Sequence, residues 1–202
     1  DAAAVAGRPG VRKVVQVGDD AVAVVADRWW EAKTALDSLP VEWNFGEHAD
    51  ASSEAMAKII GEALDADQAF VGNERGDAAA GLERAAKTVQ ATYAYPHQNH
   101  ATMEPMNATV KYTDDLCEVW CPTQNGEGAL ATAAEASGLP PTQCQVYKLL
   151  LGGGFGRRGA IHDFVRQAVL IAVTHRWPWD ASCELRRWRR ISCSTMIGRH
   201  SA

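Results

Sequence analysis

Cys144-Gln145-Val146-Tyr147-Lys148-Leu149-Leu150-Leu151 runs directly into Gly152-Gly153-Gly154-Phe155-Gly156-Arg157-Arg158, and Asp163-Phe164-Val165-Arg166-Gln167-Ala168-Val169-Leu170-Ile171-Ala172 follows. The first run is apolar and β-prone, which predicts a strand over 144–151. The last carries apolar residues at helical spacing, which predicts a helix over 162–173. A strand, a glycine loop and a helix in this order place the chain in the α+β (mixed α/β) class. The loop itself carries chemistry. Glycines let backbone N–H groups approach an anionic or oxo ligand closely, and a helix N-terminus behind them adds partial positive charge. Arg157 and Arg158 have the fork geometry that clamps phosphate or carboxylate. The pattern therefore reads as an anion or cofactor cradle. A plain glycine-rich turn closed by an arginine pair stays open on the pattern alone.

Working upstream, residues 11–17 read as a strand, Gly18-Asp19-Asp20 as a turn, and residues 21–26 as the second strand of a hairpin. Asp27 is placed to cap a helix over 28–39, with Trp29, Ala32, Ala35, Leu36 and Leu39 on one face. Pro40 ends it, and Val41-Glu42-Trp43 reads as a short strand. After a loop, Ser52 or Ser53 caps a helix that runs to about Leu64. Residues 65–86 are polar and read as a surface connection. Strands are predicted over 88–95, 108–112 and 117–120, and a helix over 127–137 that stops at Gly138 before Pro140-Pro141. No internal repeat is present.

The composition bounds the function. At 202 residues the chain has room for one or two domains and a real core. No apolar run reaches membrane-spanning length, and no export signal stands at the N-terminus. The five cysteines, Cys117, Cys121, Cys144, Cys183 and Cys193, form neither a CxxC pair nor a metal spacing, so they read as buried free thiols. His97 and His100 lack a further ligand at metal spacing and read as structural histidines. The net charge of −5 is unevenly spread. Residues 174–202 hold six arginines against two acids, a net of +4, which leaves −9 on residues 1–173.

Three segments also carry a family likeness: His100-Ala101-Thr102-Met103-Glu104-Pro105-Met106-Asn107, Trp120-Cys121-Pro122-Thr123-Gln124, and the glycine loop. In this order, over roughly residues 85–173, they resemble the molybdenum-binding subunit of the xanthine dehydrogenase/aldehyde oxidase family. The double arginine is most similar to the isoquinoline 1-oxidoreductase β-subunit type, which includes membrane-associated aldehyde dehydrogenases. The resemblance implies a partial α/β hammerhead domain over 1–50, a helix and linker over 51–86, part of a molybdopterin-binding domain over 87–173, and a divergent basic tail over 174–202.

It also implies a chemistry. Family members hydroxylate an aldehyde or N-heterocycle, taking oxygen from water, with molybdenum held by a pterin dithiolene. In bacteria this is usually molybdopterin cytosine dinucleotide. No side chain ligates the metal directly, so the protein supplies position and electrostatics. By motif, Gln124 matches the amide that donates to the apical oxo group, a role that suits a donor which does not titrate. Gly153, Gly154, Phe155 and Gly156 match the loop beside metal and pterin, with Arg157 and Arg158 completing it. Glu104 matches a position on the substrate side, where a structural hydrogen-bonding role is equally open. The family's catalytic base, a Glu in a Gly-x-Gly-Glu segment, has no counterpart here, because Glu127 in Asn125-Gly126-Glu127-Gly128 stands just after Gln124. The slice therefore holds no catalytic residue and is expected to be inactive alone. Expected partners are a small iron–sulfur subunit with two 2Fe–2S clusters, a cytochrome c electron acceptor and an aldehyde or N-heterocycle substrate, but no nucleic acid. Both periplasmic and cytoplasmic family members exist, and the compartment stays open.

The tail does not follow the family pattern. Back-translated in a shifted frame, Arg190-Ile191-Ser192-Cys193-Ser194-Thr195-Met196 yields Asp-Ile-Leu-Gln-His-Asp, which is family-like, so 174–202 reads as a frameshifted stretch. A natural divergent tail and a basic arm for polyanions are the other readings. For the chain as a whole, the alternative to a molybdenum subunit is a non-catalytic nucleotide- or phosphate-binding or interaction module. Against a nucleotide, the loop lacks the Gly-Lys-Ser/Thr ending of a P-loop.

Overall fold

The structure, a computed structural model, describes residues 1–174 apart from Ala69 and His97. The expectations for the tail, and for Cys183, Cys193 and His97, fall outside the described residues. The chain divides into two compact units, one of Asp1–Trp43 with residues 100–174, the other of Asn44–Asn99.

In the first unit, α1 (Ala3–Ala6) leads into an antiparallel hairpin of β1 (Val11–Val17) and β2 (Ala21–Ala26), in register at Val15↔Ala23 and Val17↔Ala21. Strand side chains alternate faces, so an almost wholly apolar β2 must bury both of them. One face, with Val24 and Ala26, packs on Val5 of α1 and on Ala32, Ala35 and Leu36 of α2 (Trp29–Asp37). The other, with Val15, Val17, Ala21, Ala23 and Val25, closes over Ile171 of α6 (Asp163–Thr174).

Three local expectations here are corrected. Asp27 does not cap α2, whose N-cap is Arg28 with no side-chain bond. Instead its two oxygens take the Arg12 guanidinium, at 2.9 and 2.6 Å. Trp29 is exposed rather than on the buried face. Residues 41–43 form no strand, since no described strand lies beside them to complete a ladder.

The same unit holds a three-stranded sheet in the order β3-β4-β5. β3 (Thr109–Tyr112) runs antiparallel to β4 (Cys117–Pro122), with Val110 opposite Val119. β5 (Cys144–Leu149) runs parallel to β4, with Cys117 opposite Cys144. A parallel pair needs a crossover, and α5 (Gly126–Ser137) supplies it. Asn125 caps α5 through its Oδ1, 3.0 Å from the Gly128 N–H, and Gly138 ends it in the left-handed region at φ 73°. Val119, Cys117, Cys121, Ala129, Ala133, Phe164, Val165 and Val169 form the core between this sheet and helices α5 and α6. Leu150 and Leu151 fall beyond the end of β5, so the strand is shorter than the apolar run predicted.

The second unit is helical. α3 (Ser53–Leu64) is capped by Ser52, whose Oγ accepts from the Ala55 N–H at 3.1 Å, as the sequence predicted. α4 (Ala78–Glu83), capped by Asp77, stands in the stretch read as a connection. The strand expected over 88–95 is absent, and Val89, Tyr93 and Tyr95 are exposed. Among the described residues of this unit none is buried.

The architecture is mixed α/β with small sheets, as expected. The hairpin and the glycine-loop region belong to one compact unit.

Candidate functional site

The glycine loop leaves β5 and reaches α6 through a backbone that side chains rarely tolerate. Gly153 has φ 103° and Gly156 φ 91°, so glycine is the residue these positions require. Phe155, between them, sits at φ 53°, uncommon for any residue with a Cβ and strained for a bulky one. It is also 76% exposed, so it does not pack in the core. Strain held at an exposed aromatic residue is a mark of a functional loop.

The other two glycines meet side chains. A Cβ on Gly154 would stand 2.6 Å from Oε1 and 2.7 Å from Cδ of Gln124, so the Gln124 amide lies directly against the loop backbone. A Cβ on Gly152 would stand 2.4 Å from the Glu104 Cβ. Glu104 grips that glycine twice. Its Oε2 accepts from the Gly152 N–H at 2.8 Å, and its own N–H donates to the Gly152 carbonyl at 3.0 Å. The N–H groups of Gly153, Gly154, Phe155 and Gly156 find no acceptor among the described residues, nor does the exposed Gln124 side chain find a partner. Four successive peptide donors without an acceptor among the described residues thus adjoin the Gln124 amide.

Both arginines are engaged within the protein. Arg157 holds the Asp163 carboxylate with Nη2, 2.9 Å from each oxygen, at the first residue of α6. Arg158 is fully buried. Its Nε donates to the Gly153 carbonyl at 2.9 Å, Nη1 to Pro122 at 3.3 Å and Nη2 to Glu104 at 2.7 Å. Nη2 also stands 3.1 Å from Oε2 of Glu104, an ion pair. Burial pushes the Glu104 carboxyl up, but Asn107, the Gly152 N–H and Arg158 together outweigh it and hold it below the usual carboxylate range.

Gln124 is held in place from behind. Its backbone N–H donates to the Arg158 carbonyl at 3.1 Å. The neighbouring Thr123 is buried, and its hydroxyl lies 3.1 Å from the same carbonyl, 3.1 Å from His162 Nε2 and 3.0 Å from the Asn125 N–H. Burial holds His162 below the ordinary imidazole range. A Cβ on Gly128 would stand 2.8 Å from His162 Cε1, so this glycine makes room for the ring.

The structure thus brings Glu104, Gln124 and residues 152–158 together, although Glu104 and Gly152 are 48 residues apart. Sequence reasoning gives no role of their own to Thr123, Asn107, Gly152 and His162. The first three lie inside the motifs, but their partners are distant in the chain and leave no local pattern. His100 is exposed, and Glu127 lies exposed in the first turn of α5. Among the described residues no cluster of three metal-ligating side chains occurs. Cys117, Cys121 and Cys144 are buried free thiols, as expected.

A family model of the molybdopterin cofactor-binding domain matches residues 62–195, and the chain belongs to that family. It is similar to a nicotinate dehydrogenase subunit of Pseudomonas putida, 29% identical over 179 residues, covering 85% of this chain and 14% of that protein. It is 27% identical over 197 residues to the β-subunit of isoquinoline 1-oxidoreductase of Brevundimonas diminuta, covering 89% and 24%. A membrane-bound aldehyde dehydrogenase (pyrroloquinoline-quinone) of Gluconacetobacter polyoxogenes is 31% identical over 146 residues, covering 71% and 19%. The chain therefore spans between about a seventh and a quarter of these relatives' lengths. The xanthine dehydrogenase-type resemblance is borne out. The family match also runs into the tail, as far as residue 195.

Proposed function

We propose that this chain is part of the molybdopterin-binding subunit of a molybdenum hydroxylase that oxidises an aldehyde or N-heterocycle with water as the oxygen source. The observation that carries the reading is the Gln124 amide seated on Gly154, beside the free N–H groups of Gly153, Gly154, Phe155 and Gly156. These donors fit an oxo-bearing, anionic cofactor, and they leave the metal without a protein side chain on it. The bound molybdenum pterin would supply the two-electron chemistry. This chain's own residues would bind and orient it: Gln124 through its amide, the adjoining loop through its N–H groups, and exposed Phe155 through its aromatic face. Arg157 and Arg158 belong to the cofactor wall through the loop and helix they hold.

The names of the relatives support the substrate class, since they include a nicotinate dehydrogenase, an isoquinoline oxidoreductase and an aldehyde dehydrogenase. The rest of the reading follows the family. The cofactor takes its cytosine dinucleotide form, and residues 1–50 correspond to part of a hammerhead domain. An iron–sulfur subunit with two 2Fe–2S clusters passes electrons to a cytochrome c. The chain supplies no catalytic base and is inactive alone. A phosphate- or nucleotide-binding module is less well supported, because both guanidiniums of the loop are already engaged.

The deciding experiment is elemental analysis for molybdenum, with pterin release by acid oxidation, on the natively purified protein and whatever co-purifies with it. Molybdenum and pterin in equal, stoichiometric amounts are expected. A folded chain and partner that carry neither would sink the reading.

A further inference from the structure

We propose that Glu104 and Arg158 form a brace that sets the shape of the glycine loop and the position of Gln124, so that Glu104 is a positioning residue rather than a substrate contact. Three stretches of chain meet at the Arg158 guanidinium: the loop through Gly153, the end of β4 through Pro122, and residues 104–105 through their carbonyls. Carbonyls satisfy its donors but not its charge, and an unpaired buried charge is strongly unfavourable. Glu104 supplies the counter-charge at 3.1 Å. The same Oε2 takes the Gly152 N–H, so neutralising the arginine and anchoring the loop entrance are one act.

The brace then reaches the amide. The Arg158 carbonyl accepts from the Gln124 N–H and from the Thr123 hydroxyl, at 3.1 Å each. Glu104, Gly152, Arg158 and Gln124 are thus one connected set, with its carboxylate engaged on the protein side by Gly152, Asn107 and Arg158. Lysine could not replace Arg158, because a point charge cannot serve acceptors on three sides of a planar fork.

This inference deepens the proposed function and rests on it only for what the loop binds. Amide hydrogen exchange on the full chain, with no cofactor added, reads the brace directly. In Glu104→Gln, the side-chain amide places an N–H against Asn107 or Arg158, both donors. The Gly152 and Gln124 amides should then exchange about tenfold or more faster than in the wild type, while Val119 in β4 changes by less than about twofold. Glu104→Asp, which keeps the charge at shorter reach, should fall between. Should Glu104→Gln not fold, Gly152→Ala perturbs the brace from the other side, since its Cβ would meet the Glu104 Cβ at 2.4 Å. Unchanged exchange at Gly152 and Gln124, or a uniform acceleration across the core, would overturn the brace. Pterin content is scored separately. A wild-type protein without pterin would defeat the functional reading and leave the exchange result standing.

Discussion

Gln124 lies where Gly154 has no side chain: Oε1 of the glutamine is 2.6 Å from the position a Cβ would take. The absence of a methyl group is therefore what lets a free amide rest on the loop. Gly154 does not sit in the left-handed region, so alanine there is not strained in its backbone. The clash falls on the far end of an exposed, flexible side chain, which can swing away. Gly154→Ala should accordingly cost less than about 1 kcal/mol of stability. It should lower pterin retention about tenfold, the worth of one good hydrogen bond. Melting temperature and pterin per chain, measured side by side, check the split. Equal pterin in variant and wild type would remove Gln124 from the cofactor site.

Thr123 offers a stability test of the scaffold behind Gln124. Its hydroxyl bonds Arg158, Asn125 and His162 while wholly buried. Thr123→Val keeps the shape and strands these partners. The expected loss is about 1–3 kcal/mol, which for a domain of this size is a fall of roughly 2–4 °C in melting temperature per kcal/mol. A variant that melts with the wild type would show that those partners find other bonds.

Much of this architecture could be read from local pattern, and the misses have physical causes. The hairpin, α5 with its Gly138 stop, and the strand–loop–helix around Gly152 are written in near neighbours. Residues 88–95 have the alternation of a strand, but alternation specifies a face and not a partner, and no ladder forms there. The turn of the loop was legible from its glycines, two of which have positive φ. The direction of its arginines was not, because Arg158 is satisfied by backbone carbonyls of residues 104, 105 and 122, which any side chain could precede. Glu104 was legible as a polar member of a motif. Its pairing with Gly152 is a tertiary contact that no spacing announces.

The core thiols should be chemically silent. Burial pushes Cys117 up to about 11, with Cys144 beside it adding to the shift, and burial likewise pushes Cys121 up to about 11. At pH 8 only about a thousandth of each is thiolate, the form that reacts. Iodoacetamide applied to the folded chain should leave both unmodified, and the same treatment in denaturant should label both. Peptide mapping by mass spectrometry separates them. Labelling at the denatured rate in the folded chain would contradict their burial.

The brace should also respond to acid, with a sign set by Glu104. Its carboxyl is held below its ordinary range in the folded chain: burial opposes ionisation, but Asn107, the Gly152 N–H and Arg158 favour it more. A carboxyl depressed on folding contributes stability that is complete above its unfolded value and is lost as pH falls through its folded value. The charged group facing it is the Arg158 guanidinium. Faster exchange at Gly152 should therefore set in as pH falls through the ordinary glutamate value, near pH 4, and grow as pH falls further, with no step between pH 5 and 8. Neutral His162 also faces this region through Thr123, and its own value lies below the imidazole range because of burial. Its protonation is disfavoured by folding, so it too destabilises as pH falls. The two are told apart by Glu104→Gln, in which the acid-dependent step at Gly152 should vanish while any step from His162 remains. A Gly152 exchange profile that keeps the same acid step in Glu104→Gln would assign the step to another group.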